Sequence, residues 1–168
     1  ATGQYKSLVH YGDEDSLASV NFIFNKLSHE EKVDFSCNNY PKKKNPGTKF
    51  VYHTSDTYLI GTSLNNLLSN KNEDDFFDDL LVPIFDYHNF SDKIKYIRRT
   101  NDARNQPYTG WGMFLHQDDL VKLNLLLQSP ERNKYFSEEF LDEGLQITED
   151  KGLLAITQSD IFYNNGFW

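Results

Sequence analysis

Apolar residues recur at helical spacing in three segments of the chain. The intervals of three, four and seven residues place these side chains on one face of an α-helix. The three stripes are Leu17, Val20, Phe24 and Leu27; Ile60, Leu64, Leu67 and Leu68; and Leu120, Leu123, Leu126 and Leu127. The pattern therefore predicts three helices, each with its stripe packed inward.

Start and stop signals add shorter helices. The capping box Ser28-His29-Glu30-Glu31 predicts a helix that runs through Phe35 and frays near Asn38. Glu73-Asp74-Asp75 starts another helix, which Pro83 should limit, and a last one ends at Gly144. Strand-like alternation is confined to residues 93–99 and 161–168. We therefore predict a mainly α fold (α+β with minor strand content) in one domain over residues 1–168.

Composition narrows the class of protein. With 38% hydrophobic and 15% aromatic residues, a chain of 168 residues has enough apolar area to fold, which excludes disorder for most of it. A net charge of −8 argues against a nucleic-acid partner. The basic run Lys42–Lys44 is interpreted as a solvated loop. No apolar run approaches the ~20 residues of a membrane span. The single Cys37 is expected to be buried and inert.

Several kinds of site find no support in the sequence. The five histidines are dispersed and none follows the HExxH spacing, so we expect no metal site. There is no GxGxxG or P-loop motif, and no cofactor is expected. The acidic pairs Asp74-Asp75 and Asp78-Asp79 are interpreted as a solvated helix face. A glycosidase pair stays open, because its two carboxylates meet only in the fold.

The stretch from Pro46 to Gly61, PGTKFVYHTSDTYLIG, carries the most information. It resembles the second motif region of the penicillin-recognising serine hydrolases, which include class C β-lactamases, D,D-peptidases, esterases and 6-aminohexanoate-dimer hydrolase. In that family the segment PG-x-x-F-x-Y carries a catalytic tyrosine, usually within Tyr-x-Asn. The resemblance implies that Tyr52 is this tyrosine, and Thr54 stands where asparagine is common.

Three further stretches agree with that family in order and spacing. Ala1-Thr2-Gly3 resembles a segment that follows the family's first catalytic helix. Gly110 to Leu123 resembles its GG-x-x-S/T-x-x-DLAKF helix start, and Asn165 to Trp168 resembles the strand that returns to the α/β half. The resemblance implies the helical subdomain of a β-lactamase/transpeptidase-like fold, from a bacterial protein that is periplasmic or secreted.

The departures from the family concern the nucleophile. No lysine of the chain has a serine three residues before it, so the motif Ser-x-x-Lys is absent, and no Lys-Thr-Gly or His-x-Gly follows the closing strand. An acyl-serine needs hydroxyl, base and oxyanion donors together. We therefore expect a part excised from a larger hydrolase that is inactive alone, with the missing α/β half as its partner.

Three residues are candidates for the site. Tyr52 is the predicted catalytic residue of the parent enzyme. Thr54 is a candidate substrate-binding residue, with helix capping as the alternative. Trp111 is either a wall of the substrate cleft or core filling. The implied substrate is a small amide, ester or peptide, and the isolated chain is expected to self-associate. The alternatives are a noncatalytic module that binds a peptide or glycan, and an interaction protein whose helices dock on a partner.

Overall fold

Helices make up most of the structure, as the spacing of apolar residues predicts. The computed structural model describes residues 17–25, 28–40, 45, 48, 50–69, 75–156 and 159–167. Its α-helices are α1 (Leu17–Phe24), α2 (His29–Asn38), α3 (Thr54–Ser69), α4 (Val82–Tyr87), α5 (Gln117–Gln128) and α6 (Glu138–Gly144). Single helical turns cover Phe77–Leu81, Asp92–Lys95 and Pro130–Lys134, and two strands form β1 (Leu153–Ile156) and β2 (Ile161–Tyr163). The prediction of a mainly α fold with minor strand content is confirmed.

The chain divides into two units. The first contains the described parts of residues 42–52 and 123–168, and the second contains those of residues 6–41 and 53–122. The single domain over residues 1–168 stays a prediction. Predictions that fall on Ala1–Gly3, Leu27, Lys42–Lys44, Pro46-Gly47, Glu73-Asp74 and Trp168 lie outside the described residues.

Local capping chemistry sets where α2 begins. The Ser28 hydroxyl accepts a hydrogen bond from the Glu31 N–H at 3.3 Å, and the Glu31 carboxylate accepts one from the Ser28 N–H at 2.8 Å. Both bonds satisfy N–H groups that have no partner inside a helix, which is why this pattern starts one. The predicted capping box is confirmed, and α2 ends at Asn38 as expected.

The start of α5 depends on one buried carboxylate. Asp119 accepts hydrogen bonds from the His116 N–H at 3.0 Å, the Ser91 N–H at 2.8 Å and the Ser91 hydroxyl at 2.5 Å. Burial raises the pKa of the Asp119 carboxyl, but the hydrogen bonds from Ser91 and His116 outweigh it, so the pKa lies below its usual value. The ionised carboxylate therefore ties the first turn of α5 to Ser91.

The predicted inward face of α3 is wrong. Ile60, Leu64 and Leu67 are exposed, and only Leu68 of that stripe is buried. The buried side of α3 carries Tyr58, Gly61, Thr62 and Asn65 as well as Leu68. Polar side chains can lie there because they are hydrogen-bonded. The side-chain carbonyl of Asn65 accepts from the Phe76 N–H at 2.8 Å, and its side-chain NH₂ donates to the Gln106 side chain at 3.2 Å.

The faces of α1 and α5 also differ from the prediction. On α1, Leu17, Val20 and Phe24 are exposed, whereas Phe22 is buried. On α5, Leu126 is buried and Leu120 is exposed, and Leu123 and Leu127 are partly buried. The predicted side is therefore wrong for α1, whereas for α5 three of the four predicted residues are buried or partly buried and only Leu120 is exposed.

Aromatic rings form most of the core of the second unit. Phe22 stacks on Phe35 of α2 with centroids 4.9 Å apart, and its edge meets Tyr58 of α3 at 5.8 Å. The buried aromatic residues of this unit are Phe22, Tyr40, Tyr58, Phe76, Phe77, Phe85, Phe90 and Tyr108. Eight of the 25 aromatic residues of the sequence therefore lie in this core.

Three smaller predictions need correction. Pro83 lies in the first turn of α4, where a missing N–H costs nothing, so it does not end the helical path that begins before it. The expected strand over residues 93–99 is a helical turn followed by isolated bridges, Ile97 to Met113 and Arg99 to Pro107. Cys37, expected to be buried, is exposed.

The closing segment of the first unit forms an antiparallel hairpin. Leu153 pairs with Tyr163 and Leu154 with Phe162. The Gln146 side chain donates to the Phe162 carbonyl at 3.1 Å, so the residues after α6 are joined to β2. The strand-like run at residues 161–168 is thus confirmed for β2, whereas the sequence pattern does not indicate its partner β1.

One charged side chain lies inside the aromatic core. Lys32 of α2 has 0% exposure, and its ammonium donates to the Phe22 carbonyl. The Nζ atom lies 4.4 Å from the centre of the Phe22 ring and 4.2 Å from that of Tyr108. Burial, and secondly the charge of Arg98, lower the pKa of Lys32 to about 8. The Phe22 carbonyl and two ring faces contact the protonated amine, and the charge of Glu31 favours it more weakly than burial and Arg98 disfavour it.

This burial predicts an unusual dependence of stability on pH. The pKa of Lys32 falls from its ordinary value of 10.5 to about 8 in the fold. Between these values the unfolded chain binds more protons at this amine than the folded chain, so stability rises with pH. Relative to Lys32→Met, the wild-type free energy of unfolding should increase by about 2 kcal/mol between pH 7 and 9.5. Urea unfolding of both proteins at the two pH values measures it, and parallel pH profiles would contradict it.

Candidate active-site region

Tyr52 lies on an irregular segment that leads into α3. Residues 50–53 form no regular secondary structure, and the Phe50 ring packs on Tyr163 of β2 with centroids 4.9 Å apart. This contact holds the segment within the first unit. Tyr52 itself is 36% exposed, so its phenol can be reached from solvent. A tyrosine that served only as core filling would be buried.

Thr54 is the first residue of α3. Its side chain is buried, and its carbonyl accepts a hydrogen bond from the Thr57 hydroxyl at 2.7 Å. Ser55, the next residue, is also buried, and its hydroxyl has no hydrogen-bond partner among the described residues. The helix therefore begins at the candidate residue and not after it.

A glycine turn lies directly on the first turn of α3. The Thr109 hydroxyl donates to the carbonyl of Thr57. A Cβ atom on Gly110 would lie 2.6 Å from the Thr54 carbonyl oxygen and 2.8 Å from its Cγ2. Only glycine allows this approach without a shift of the backbone. The structure thus brings the Trp111 turn and Thr54 together.

Trp111 lies at the surface and not in the core. Its side chain is 42% exposed, and the edge of Phe24 meets the indole with centroids 5.1 Å apart. The guanidinium carbon of Arg98 lies 4.7 Å from the centre of the indole on which it stacks. Of the two roles considered for Trp111, a cleft wall fits this exposure and core filling does not.

A cavity opens beside this tryptophan. Its volume is about 350 Å³, and it is lined by the continuous run Tyr108, Thr109, Gly110, Trp111, Gly112, Met113 and Phe114. Gly112 has a φ of +136°, a value that L side chains rarely adopt, and a Cβ there would lie 3.1 Å from Arg98 Cβ. Because Gly110 and Gly112 have no side chains, their peptide groups line the cavity directly.

Sequence reasoning missed the charged members of this region. Lys32, Tyr108, Arg98 and Trp111 form an alternating series of cations and rings, with Arg98 also 5.8 Å from the centre of the Tyr108 ring. Each such contact contributes ~0.5–2 kcal/mol, more when it is desolvated. Arg98 stands in an alternating run of basic and apolar residues, which is the only signal in the sequence. That run does not say which ring a basic side chain reaches.

A second polar cluster of the same unit is structural. His29 Nδ1 and the Tyr58 hydroxyl are 2.8 Å apart. The backbone N–H of His29 donates to the Asp102 carboxylate at 2.5 Å. Burial and then the charge of Arg104 lower the pKa of His29, whereas burial and then Asp102 raise the pKa of Tyr58. Tyr58 is only 1% exposed, so this pair joins α2 to α3 and does not face a substrate.

The described residues contain neither a metal-binding cluster nor a membrane-spanning helix. Among the described ranges, no group of three His, Cys, Asp or Glu side chains could hold a metal ion. In the same part of the chain, no helix is both long and apolar enough to cross a membrane.

Comparison with protein-family models, curated proteins and solved structures finds no significant match for this chain.

The contact between the glycine turn and α3 gives a direct prediction. Gly110→Ala should lower the free energy of unfolding by about 1–3 kcal/mol, because the added methyl group meets the backbone of Thr54 and cannot be accommodated by a side-chain rotation. Urea unfolding measures the loss, and the Trp111 indole N–H signal should shift. Asn101→Ala, at an exposed position of the same unit, is the control and should change neither. An unchanged Gly110→Ala stability would show that the turn does not lie on α3.

Proposed function

We propose that this chain is the tyrosine-bearing helical part of a β-lactamase-like serine hydrolase, whose full-length form cleaves an amide or ester through an acyl-serine. Two observations carry the proposal. Tyr52 is accessible, and the Trp111 turn lies on the first turn of α3, which begins at Thr54, two residues after Tyr52 in the sequence. The motifs that resemble this family supply those three elements in the same order. Without them, an exposed tyrosine would carry no functional meaning.

Tyr52 would exchange a proton with the leaving group in such an enzyme. A free phenol has a pKa of ~10, so it needs nearby positive charge to act as a base at neutral pH. The lysine of Ser-x-x-Lys supplies that charge in the family, and this chain has no such motif. The hydroxyl nucleophile is missing for the same reason. The chain alone should therefore turn over no substrate.

The exposed face of α3 supports a larger parent protein. Ile60, Leu64 and Leu67 follow one another at helical spacing and are between 40% and 57% exposed. A contiguous apolar face of this kind usually marks an interaction surface. We infer that the α/β half, which would bear the nucleophile, covers this face. The same face would drive self-association when that half is absent.

The substrate class follows only from the resemblance. It would be a β-lactam, a peptidoglycan peptide, a short amide oligomer or a simple ester, hydrolysed in the periplasm or after secretion. A noncatalytic binding module is the second candidate, and the cavity beside the exposed Trp111 favours it. The two candidates differ in whether Tyr52 is needed for turnover.

Hydrolysis by a reconstituted protein tests the proposal. The chain joined to its α/β half, in one polypeptide or in trans, should hydrolyse nitrocefin or a p-nitrophenyl ester, and the chain alone should not. Tyr52→Phe should lower kcat by at least ~100-fold, the usual contribution of a general acid or base. Tyr96→Phe, which alters another exposed tyrosine, is the control and should keep full activity. Full activity of Tyr52→Phe would refute the assigned role, and an inert reconstituted protein would favour the binding module.

Self-association of the isolated chain tests the role of the α3 face. Sedimentation velocity at increasing concentration should show dimers or larger species. Burial of the three apolar side chains of the α3 face between two chains lowers the free energy of the associated state. The triple variant Ile60→Ser, Leu64→Ser, Leu67→Ser should sediment as a monomer. The matched triple of exposed apolar residues on α5, Leu120→Ser, Val121→Ser and Leu125→Ser, should still associate. A wild-type chain that is monomeric at every concentration would contradict the prediction.

A further inference from the structure

Arg98 differs from two of the other arginines in its charge environment. Arg99 pairs with Asp75 at 2.5 Å and with Asp78 at 2.9 Å, and Arg132 pairs with Asp142 at 3.3 Å. Arg98 has no carboxylate partner among the described residues. Its one hydrogen bond from the guanidinium reaches the Phe24 carbonyl at 3.4 Å, which is long for such a bond. Its charge is therefore available to an anion.

A second cation lies on the same aromatic series. Lys32 Nζ is 4.2 Å from the centre of the Tyr108 ring, and the Arg98 guanidinium carbon is 5.8 Å from that centre. Arg98 is close enough for its charge to disfavour protonation of Lys32. Two neighbouring positive groups, of which Arg98 has no carboxylate partner among the described residues, create a local positive potential in a chain whose net charge is −8.

Backbone donors line the adjoining cavity. The N–H groups of Thr109, Gly110 and Trp111 donate no hydrogen bond to any acceptor within the described part of the chain. All three residues border the cavity of about 350 Å³ beside the indole. Peptide N–H groups that succeed one another in a turn, next to glycines, bind anions in many proteins.

The remaining walls of the cavity are apolar. Trp111, Met113 and Phe114 line it, with 42%, 40% and 54% of their side chains exposed. A volume of this size is at the lower end of the ~300–1,000 Å³ found for small-molecule sites. The guanidinium carbon of Arg98 lies 4.7 Å from the centre of the indole, so a ligand in contact with the indole can place a carboxylate beside this guanidinium. Apolar walls and a few convergent polar groups are typical of such sites.

We propose that this cavity binds a small organic carboxylate with a flat apolar body. The body packs against the exposed parts of Trp111, Met113 and Phe114, and the carboxylate pairs with the Arg98 guanidinium and with the N–H groups of the glycine turn. Calling this molecule a substrate rests on the proposed function, and it would then be an amide or ester that carries a free carboxylate. The binding itself needs neither the α/β half nor Tyr52.

Benzoate and benzamide are suitable probes, because they share a flat ring and differ in charge. Titration into the ¹⁵N-labelled chain is followed by the indole N–H signal of Trp111, which Trp168→Phe identifies, since the sequence has two tryptophans. Benzoate should shift this signal saturably, with a dissociation constant at least ~10-fold lower than that of benzamide. Equal affinity for the two probes would overturn the role of the charge.

Variants of Arg98 separate charge from packing. Arg98→Met should weaken benzoate binding at least ~10-fold and leave benzamide unchanged. Arg98→Lys keeps the charge but loses the planar guanidinium, so its affinity for benzoate should lie between those of the wild type and Arg98→Met. Arg104→Gln, which changes an exposed arginine bonded to Asn66, is the control and should bind benzoate as the wild type does. If Arg98→Met binds benzoate normally, or Arg104→Gln weakens it equally, the assignment of Arg98 is wrong.

Inorganic sulfate tests the apolar part of the proposal. Sulfate should shift the Trp111 signal only at concentrations far above those of benzoate, because it cannot stack on the indole. Equal affinity for sulfate and benzoate would reduce the site to a general anion site and overturn the proposed ligand class. These measurements use the chain alone and no turnover, so their failure leaves the hydrolysis experiment unaffected. Loss of hydrolysis in that experiment likewise leaves this site unaffected.

Discussion

A buried ammonium group has to be solvated by the protein, and this requirement organises the second unit. Lys32 lies at 0% exposure between the faces of Phe22 and Tyr108 and donates to the Phe22 carbonyl. The Tyr108 hydroxyl donates to that same carbonyl at 3.2 Å. Helices α1 and α2 and the segment at residue 108 are thereby held around one charge. Because leaving the charge without these partners would cost several kcal/mol, the three elements must keep this arrangement.

The arrangement extends from the core to the surface through Tyr108. Arg98 donates its N–H to the Gly112 carbonyl at 3.2 Å and its carbonyl accepts the Tyr108 N–H at 2.8 Å, so it lies between two chain segments. Its guanidinium reaches the indole of Trp111, at the edge of the cavity. A core interaction therefore sets where the exposed wall of the candidate site stands. The close approach of Gly110 to Thr54 then fixes this wall against the start of α3.

The region beside the cavity and the outer face of α3 differ in charge and polarity. The chain is acidic as a whole, yet Arg98 lies beside the cavity, and the N–H groups of Thr109, Gly110 and Trp111 donate to no acceptor among the described residues. The outer face of α3 carries the exposed apolar side chains of Ile60, Leu64 and Leu67. In the proposed enzyme, the chain would recognise the substrate and supply a phenol, and the covering half would supply the nucleophile. Substrate recognition and bond cleavage would then lie on different parts of one protein.

The sequence by itself determined the features that depend on neighbours within a few residues. The capping box at Ser28 and the end of α6 at Gly144 both follow from hydrogen bonds between residues a few positions apart. Such bonds form in the same way whatever the rest of the chain does.

Only the tertiary structure decided which helix faces are buried and which side chains meet. The side of α3 with Tyr58 and Asn65 is buried because aromatic rings and hydrogen-bond partners from distant segments meet it there, while the more regular leucine stripe stays outside. Lys32, Arg98 and Trp111 come together only in three dimensions, across segments far apart in the sequence. The spacing of apolar residues shows which side chains share one face of a helix. Whether that face is buried depends on the other elements that pack against the helix.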